Sequence, residues 1–198
     1  AWLELNYRGS TGYGRSYQSA LNGRWGELDV LDTVSAADGL AAAGLADGRR
    51  LALYGSSAGG YTVLNTLIRY PGKFRAGVDA YGVSNLFKLE EDTHKFERYA
   101  NARLVGPLPQ AAQKYRDWSP EFHADSIRDP LAIFQGADDP VVPKSQSDAI
   151  AAALQRNRVP HLYRVYPGEG HRFRKSETRL DFILTMERFL VEQFSLAN

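Results

Sequence analysis

Short apolar runs alternate along this chain with longer segments in which apolar residues recur every three or four positions. The short runs predict β-strands, and "RLALYG" (50–55) has the continuous apolar character of a strand buried in a parallel sheet. The other predicted strands are "WLELNY" (2–7), "RAGVDAYG" (75–82), "LAIFQG" (131–136) and "HLYRVYP" (161–167).

The segments between these runs carry the spacing of amphipathic helices. One helix is predicted from about Leu28 to Leu40, and the next ends before Pro71. Residues 84–126 are more polar and aromatic, and we expect irregular helices there that cover one face, with Ser119 as an N-cap. Two more helices are predicted, from Ser145 to Leu154 and near the C-terminus, where one side carries Leu180, Ile183, Leu184 and Phe194. This alternation predicts an α/β fold, a mostly parallel sheet with helices on both faces.

Composition narrows the classes of function. The chain holds 24 Lys and Arg against 23 Asp and Glu, so it carries no electrostatic signature for nucleic acid or an anionic membrane. No apolar stretch approaches the ~20 residues of a membrane span. Cysteine is absent, which excludes thiol catalysis and disulfides and fits a cytoplasmic location.

The stretch Gly55-Ser56-Ser57-Ala58-Gly59 places a G-x-S-x-G pattern between a predicted strand and a predicted helix. This is the context of a nucleophile elbow, a tight turn that lifts a serine hydroxyl above the sheet edge. Ser57 is the candidate nucleophile, Ser56 is a spacer, and the Ala58 amide is a candidate oxyanion donor. The alternatives are a glycine-rich turn with an incidental serine and a phosphate-binding loop, although the latter requires Gly-Lys-Ser/Thr, which is missing here.

A serine hydroxyl is a weak nucleophile that needs a base, and the base needs an orienting carboxylate. His171 stands in the loop before the final helix, where the chain order of this fold places the base. A surface histidine is the alternative for His171, whereas His94 and His123 fall in the covering segment and His161 at the start of a strand.

The carboxylate has two candidates. Asp138 and Asp139 both follow the predicted strand 131–136, so both qualify by topology. Ordinary turn chemistry before Pro140 is the alternative for both aspartates. The serine, the aspartates and the histidine follow three successive relevant strands. Together they indicate a catalytic triad far more specifically than any one of them does.

These motifs resemble the catalytic α/β-hydrolase domain of the prolyl oligopeptidase family of serine peptidases, in particular its acylaminoacyl-peptidase and dipeptidyl-aminopeptidase-like branch. The resemblance covers nearly all of residues 1–198 through "NYRGSTGYGRSY", "WGELDVLD", "GSSAGGYT", "DTHKFE", "SPEFHAD", "QGADDPVVP" and "GEGHRF". It implies that Ser57 is the nucleophile and His171 the base. It assigns the acid to the third residue after Gly136, which is Asp139.

The resemblance also implies an activity, the hydrolysis of short peptides or N-blocked amino-acid derivatives through an acyl-enzyme on Ser57. A carboxyl-ester hydrolase with the same triad and an inactive fragment of the peptidase are the alternatives. No metal or cofactor is expected. Tyr61, beside the elbow, either contacts substrate or packs in the interior. Glu90, Glu91 and Glu97 either bind a substrate α-amino group or form an exposed charged helix.

The chain departs from the family pattern in three places. Pro140 follows the Asp where a basic residue is frequent. Arg172 follows the His where glycine is common, and a positive φ there would cost about 1 kcal/mol. The sequence also lacks the upstream "HGG"-type oxyanion loop and the β-propeller of the family. The resemblance therefore implies missing N-terminal strands, one of which would lie between residues 2–7 and the strand 51–55, and a missing N-terminal propeller domain.

Overall fold

The fold was obtained as a computed structural model, which describes residues 1–92 and 100–195. Within these residues, four parallel strands form one sheet in the order in which they occur along the chain. They are β1 (Ala52–Ser56), β2 (Ala76–Ala80), β3 (Leu131–Gly136) and β4 (His161–Tyr166). The predicted α/β class and four of the five predicted strands are therefore confirmed.

Helices lie between successive strands along the chain, as the connections of a parallel sheet require. They are α1 (Arg15–Ser19), α2 (Leu28–Ala42), α3 (Ala58–Arg69), α4 (Leu86–Asp92), α5 (Ala100–Leu104), α6 (Ala112–Trp118), α7 (Lys144–Arg156) and α8 (Ser176–Ser195). The covering segment 84–126 contains three of these short helices and two 3₁₀ turns, Pro120–Phe122 and Ala124–Ser126. The expectation of irregular helices in this segment is confirmed for its described residues.

The sheet separates two apolar layers, because successive side chains of a strand point to opposite faces. Leu131 and Ile133 of β3 pack in one cluster with residues of α3 and α7. Ala132 and Phe134 pack on the other face with Phe189 of α8. Helices therefore cover both faces of the sheet, as the alternation of elements predicts.

The predicted strand at residues 2–7 is wrong. These residues form no strand in the structure, and Trp2 is 67% exposed. A strand requires a neighbour that completes a hydrogen-bond ladder, and in the described part of the chain β1 pairs only with β2. The segment instead contacts the sheet through its side chains, since the Trp2 and Tyr54 ring centroids lie 5.5 Å apart.

The side of α8 that carries Leu180, Ile183 and Leu184 does not face the core. All three side chains are exposed, at 59%, 52% and 47%. The residues that pack toward the sheet are Phe182, Met186, Phe189 and Leu190. Apolar residues occur on both sides of this helix, so its spacing alone does not show which side is buried.

Ser119 precedes the turn Pro120–Phe122 as predicted, but its side chain does not cap that turn. Its hydroxyl accepts a hydrogen bond from the Leu86 amide at 2.9 Å and donates one to the Tyr115 carbonyl at 2.6 Å. The N-cap prediction is therefore wrong for the side chain. The hydroxyl instead joins α4 to α6, two elements that lie far apart in sequence.

Carboxylates at the start of α2 fix the elements that flank the elbow. The Asp29 carboxylate accepts hydrogen bonds from the Gly26 amide and the Thr62 hydroxyl of α3, both at 2.6 Å. Asp32 pairs with the Arg8 guanidinium and also accepts from the Arg8 amide at 2.8 Å. These buried and half-buried bonds hold α2, α3 and the loop after residue 7 in one arrangement.

Candidate active site

The loop between β1 and α3 is a strained turn centred on Ser57. Ser57 adopts φ 54° and ψ −117°, a backbone conformation that residues other than glycine rarely adopt. Its amide donates to the Ala80 carbonyl of β2 at 2.9 Å, which extends the sheet pairing to the turn. The serine therefore stands at the carboxyl end of β1 and at the N-terminus of α3, as a nucleophile elbow requires.

Two of the three elbow glycines are required by close approach. A Cβ on Gly55 would lie 2.2 Å from the Gly59 carbonyl oxygen, and one on Gly60 would lie 2.1 Å from Asp79 Oδ1. A Cβ on Gly59 would meet no atom within 4 Å. Close packing of α3 against β1 and β2 therefore requires glycine at positions 55 and 60, while Gly59 has room for a side chain.

The structure brings Ser57, His171 and Asp139 into one hydrogen-bonded line. His171 Nε2 lies 3.0 Å from Ser57 Oγ, and His171 Nδ1 lies 2.9 Å from Asp139 Oδ2. Asp138 is exposed, whereas the Asp139 side chain has no solvent exposure. The choice of Asp139 over Asp138 as the partner of the histidine is confirmed by this geometry.

The Asp139 carboxylate is held on both oxygens. Oδ1 accepts hydrogen bonds from the amides of Val141 and Val142, at 2.8 and 2.9 Å. Oδ2 faces His171 and also accepts a hydrogen bond from Gln135 Nε2 at 3.3 Å. Donors on both oxygens fix the plane of the carboxylate and direct Oδ2 at the imidazole, the arrangement that orients a histidine for proton transfer.

The acid and base loops fix each other. The Asp138 amide donates to the Glu169 carbonyl at 2.9 Å, and a Cβ on Gly136 would lie 2.4 Å from the Gly170 carbonyl oxygen. The buried Glu169 carboxylate accepts from the amides of Arg174 and Lys175, at 2.8 and 2.9 Å. The loop that carries His171 is thus attached at both of its ends.

Two residues near the imidazole adopt a positive φ. Arg172 has φ 74° and is exposed, so the strain expected for a non-glycine residue after the histidine is present. Tyr81, at the end of β2, has φ 45°, and its ring meets the His171 ring edge-on at a centroid distance of 4.9 Å. Nothing in the sequence around Tyr81 signals this conformation, and sequence analysis missed its contact with the histidine.

Tyr61 lies in the core and not in the cleft. It has no solvent exposure, and its ring centroid is 4.3 Å from that of Trp25. The expectation of a substrate contact is therefore wrong, and the packing alternative holds, because a residue without exposed surface offers nothing to a ligand.

Ala58 is the first residue of α3, so its amide belongs to the helix end that lacks intrahelical acceptors.

The other candidate residues do not join the site. His161 Nδ1 hydrogen-bonds the Val159 carbonyl at 2.8 Å, and His123 Nε2 the Arg116 carbonyl at 3.2 Å. Glu90 lies 3.5 Å from the Tyr115 hydroxyl, and Glu91 is exposed. His94 and Glu97 fall outside the described residues.

A buried carboxyl lies behind the elbow. Asp79 of β2 is 1% exposed, and its Oδ1 has no hydrogen-bond partner. This oxygen occupies the space in which a Cβ on Gly60 or Gly82 would lie. Desolvation by burial raises the pKa of Asp79 to about 7, against a smaller opposing effect of the Gly82 amide. The carboxyl therefore keeps its proton to a higher pH than an exposed aspartate does. It is not part of the hydrogen-bonded line of the site.

Two negative observations apply to residues 1–92 and 100–195 only. No cluster of three or more His, Asp or Glu side chains there has a geometry that could hold a metal ion. No helix among the described residues combines the length and apolar content that crossing a membrane requires.

A parallel sheet covered by helices, with a serine on the elbow after one strand and an aspartate and a histidine on the loops after later strands, defines an α/β-hydrolase. The sequence profile described as the prolyl oligopeptidase family matches residues 1–197. The chain therefore belongs to the prolyl oligopeptidase family, a family of serine peptidases, as the resemblance in the sequence implies.

Individual relatives agree with this assignment. Dipeptidyl aminopeptidase BIII of Pseudoxanthomonas mexicana is 36% identical over 97% of this chain and 29% of its own length. An acylamino-acid-releasing enzyme of Arabidopsis thaliana is 28% identical over 93% of this chain and 25% of its own length. The solved structure of a Mycobacterium tuberculosis puromycin-hydrolyzing peptidase is 40% identical with a TM-score of 0.92, over 96% of this chain and 29% of that one. The chain thus spans between a quarter and a third of the length of these relatives.

Proposed function

We propose that the protein containing this chain is a serine peptidase that hydrolyses short peptides or N-blocked amino-acid derivatives. The observation that carries the proposal is the hydrogen-bonded line from Ser57 Oγ through His171 to Asp139, with distances of 3.0 and 2.9 Å. The names of the similar proteins, which include a dipeptidyl aminopeptidase and a puromycin-hydrolyzing peptidase, support a substrate with an amide bond.

The geometry suits acyl transfer. Ser57 Oγ donates its hydrogen bond to Nε2 of a neutral His171, which accepts the proton as the oxygen attacks a carbonyl. Nδ1–H donates to Asp139 Oδ2, so the carboxylate fixes the tautomer and stabilises the imidazolium that forms. His171 then delivers the proton to the leaving amine, and water cleaves the acyl-enzyme by the same route in reverse.

The oxyanion of the tetrahedral intermediate forms beside the N-terminus of α3. The Ala58 amide is the donor that this chain supplies in the proposal, aided by the helix dipole. One donor of this kind contributes roughly 10²–10³ in rate. In the proposal a second donor comes from a segment upstream of residues 1–198.

The proposal includes two further statements about the whole protein. It places an N-terminal propeller domain beside this catalytic domain, which is supported by relatives that are more than three times as long as the chain they match. It also places the protein in the cytoplasm, an expectation that rests only on the absence of cysteine.

The test compares two adjacent serines in the full-length gene product. Ser57→Ala should lower kcat toward a peptide substrate by several orders of magnitude, because it removes the hydroxyl that hydrogen-bonds His171 Nε2. Ser56→Ala, which changes the last residue of β1, should retain activity to within about tenfold. Equal losses in the two variants would contradict the assignment. Hydrolysis of esters without any hydrolysis of peptides would contradict the peptidase.

A further inference from the structure

A buried polar chain lies behind the aspartate of the site. Gln135, the penultimate residue of β3, has no solvent exposure. The two hydrogens of its Nε2 are shared among three acceptors, Asp139 Oδ2 at 3.3 Å and the carbonyls of Gly136 and Val142, each at 3.1 Å. Its Oε1 accepts a hydrogen bond of 2.8 Å from the hydroxyl of Ser147, a residue of α7 that is 1% exposed.

The surroundings determine which end of the Gln135 amide faces Asp139. Three acceptor oxygens surround Nε2, while the hydroxyl of Ser147 supplies a donor to Oε1. If the amide were turned over, Oε1 would face a carboxylate and two carbonyls with no hydrogen between them. In a buried site that arrangement is strongly unfavourable, so the N–H groups remain directed at Asp139.

The donor from Gln135 completes the set of hydrogen bonds on the carboxylate. Asp139 Oδ1 is fixed by two backbone amides, but without Gln135 the other oxygen would contact His171 alone. With Gln135, Oδ2 lies between a fixed donor on the strand and the imidazole. The carboxylate plane, and through it the orientation of the His171 ring, is then set by the rigid β3 and α7 elements.

We propose that Gln135 is a positioning residue for the line Ser57–His171–Asp139, and that Ser147 holds its amide in the active orientation. This inference rests on the proposed function. Gln135 has no exposed surface through which to contact substrate, so it acts through Asp139. The titratable groups that its hydrogen bonds reach within the described residues are Asp139 and, through Asp139, His171.

The first test removes the donor and keeps the side-chain length. Gln135→Met in the full-length gene product should lower kcat about tenfold and leave KM within about threefold, because substrate does not contact this position. Its kcat profile should also rise at higher pH than that of the wild type. An Asp139 carboxylate with fewer donors on Oδ2 attracts the imidazolium more strongly.

The second test uses the pH profile to distinguish positioning from packing. Gln135→Glu places a second carboxyl about as far from Asp139 Oδ2 as Gln135 Nε2 is, which is 3.3 Å. Two buried carboxyls this close to each other share a proton. While the new carboxyl is protonated it can donate to Asp139 and restore activity. As the pH rises it ionises, so the plateau of the wild-type profile should become a bell with a new descending limb.

Ser147→Ala is the matched control, because it removes the hydroxyl that holds Oε1 but leaves the donor to Asp139 in place. We expect it to lower kcat less than Gln135→Met does. Wild-type kcat and an unchanged pH profile in Gln135→Met would overturn the inference while leaving the proposed function intact. If Gln135→Met does not fold, a Gln135→Glu profile without a descending limb up to pH 9 overturns it. Wild-type protein without any Ser57-dependent hydrolysis would instead refute the proposed function.

Discussion

At the scale of single residues, the charged groups in the interior differ in how they are stabilised. Asp139 has hydrogen-bond donors on both of its oxygens. Asp79 is equally buried, but its Oδ1 has no hydrogen-bond partner, and burial raises its pKa to about 7. The carboxylate of the site is therefore supported by its surroundings, whereas the one behind the elbow destabilises the folded state whenever it is ionised.

Asp79 makes the stability of the fold depend on pH. An unfolded aspartate loses its proton near pH 4, whereas Asp79 in the fold retains it up to a pKa of about 7. Between these values the folded state binds the extra proton, so the free energy of unfolding falls as pH rises from about 4 to about 7, by up to ~1.4 kcal/mol per pH unit. Asp79→Asn cannot ionise and should not show this loss.

The measurement is the difference in unfolding midpoint between Asp79→Asn and wild type, at pH 5 and at pH 8. The difference should shift in favour of the variant at pH 8, because a pH-independent cost of the amide cancels between the two conditions. A difference that is the same at both pH values would show that Asp79 titrates normally.

The residues of the site differ in how much of their role the sequence encodes. Ser57 and His171 were predictable because G-x-S-x-G and the order of strands are local signals, and Asp139 because its distance from Gly136 matches the family. Gln135 carries one weak signal, a polar residue inside an apolar run. Tyr81 carries none, since its contact with His171 joins residues that are 90 positions apart.

At the scale of elements, the packing of α3 on β1 determines where Ser57 is held. Gly55 allows the backbone of α3 to approach, and Gly60 allows contact with β2. The strained conformation of Ser57 persists because the flanking strand and helix are fixed by sheet pairing and by the Asp29–Thr62 hydrogen bond.

A pair of glycine substitutions tests this packing. Gly55→Ala should destabilise the protein by more than ~3 kcal/mol and abolish activity, because its Cβ would lie 2.2 Å from the backbone oxygen of Gly59. Gly59→Ala is the matched control. It has open space and a helical position, where alanine is favoured by ~1 kcal/mol. Thermal unfolding of both variants is the measurement, and equal midpoints would contradict the close approach of β1 and α3.

Sequence pattern identified strands and helices well where their determinants are local. The four strands of the sheet are short runs in which apolar residues predominate, and composition alone signals such runs. Residues 2–7 have the same composition but form no ladder, because a strand also depends on its neighbour. The buried side of α8 was not predictable, because apolar residues occur on both sides of that helix.

At the scale of the whole molecule, the sheet edge at β1 and one side of α8 are partly exposed in the described part of the chain, and β4 forms the second edge of the sheet. β1 has a strand neighbour on one side only, and Tyr54 on this strand is 38% exposed. The exposed side of α8 carries large apolar residues, namely Leu180, Ile183, Leu184 and Val191. Edge strands and apolar patches of this kind favour association with other chains.

We therefore expect a polypeptide of only these 198 residues to self-associate or aggregate. Charged substitutions at Leu180 and Ile183, such as Leu180→Glu with Ile183→Lys, should reduce its apparent mass in light scattering after size-exclusion chromatography. Leu45→Lys is the matched control, because Leu45 is 73% exposed outside α8 and should leave association unchanged. A monomer that unfolds cooperatively would contradict this expectation.

The central claim is that Ser57 is a nucleophile activated by His171 and Asp139, and covalent labelling tests it most directly. The full-length gene product is treated with a fluorophosphonate, and the modified residue is located by peptide mass spectrometry. The account predicts that Ser57 carries the label, that Ser56 remains unmodified, and that His171→Ala slows labelling by several orders of magnitude. Label on Ser56, or a labelling rate that does not change in His171→Ala, would contradict the account.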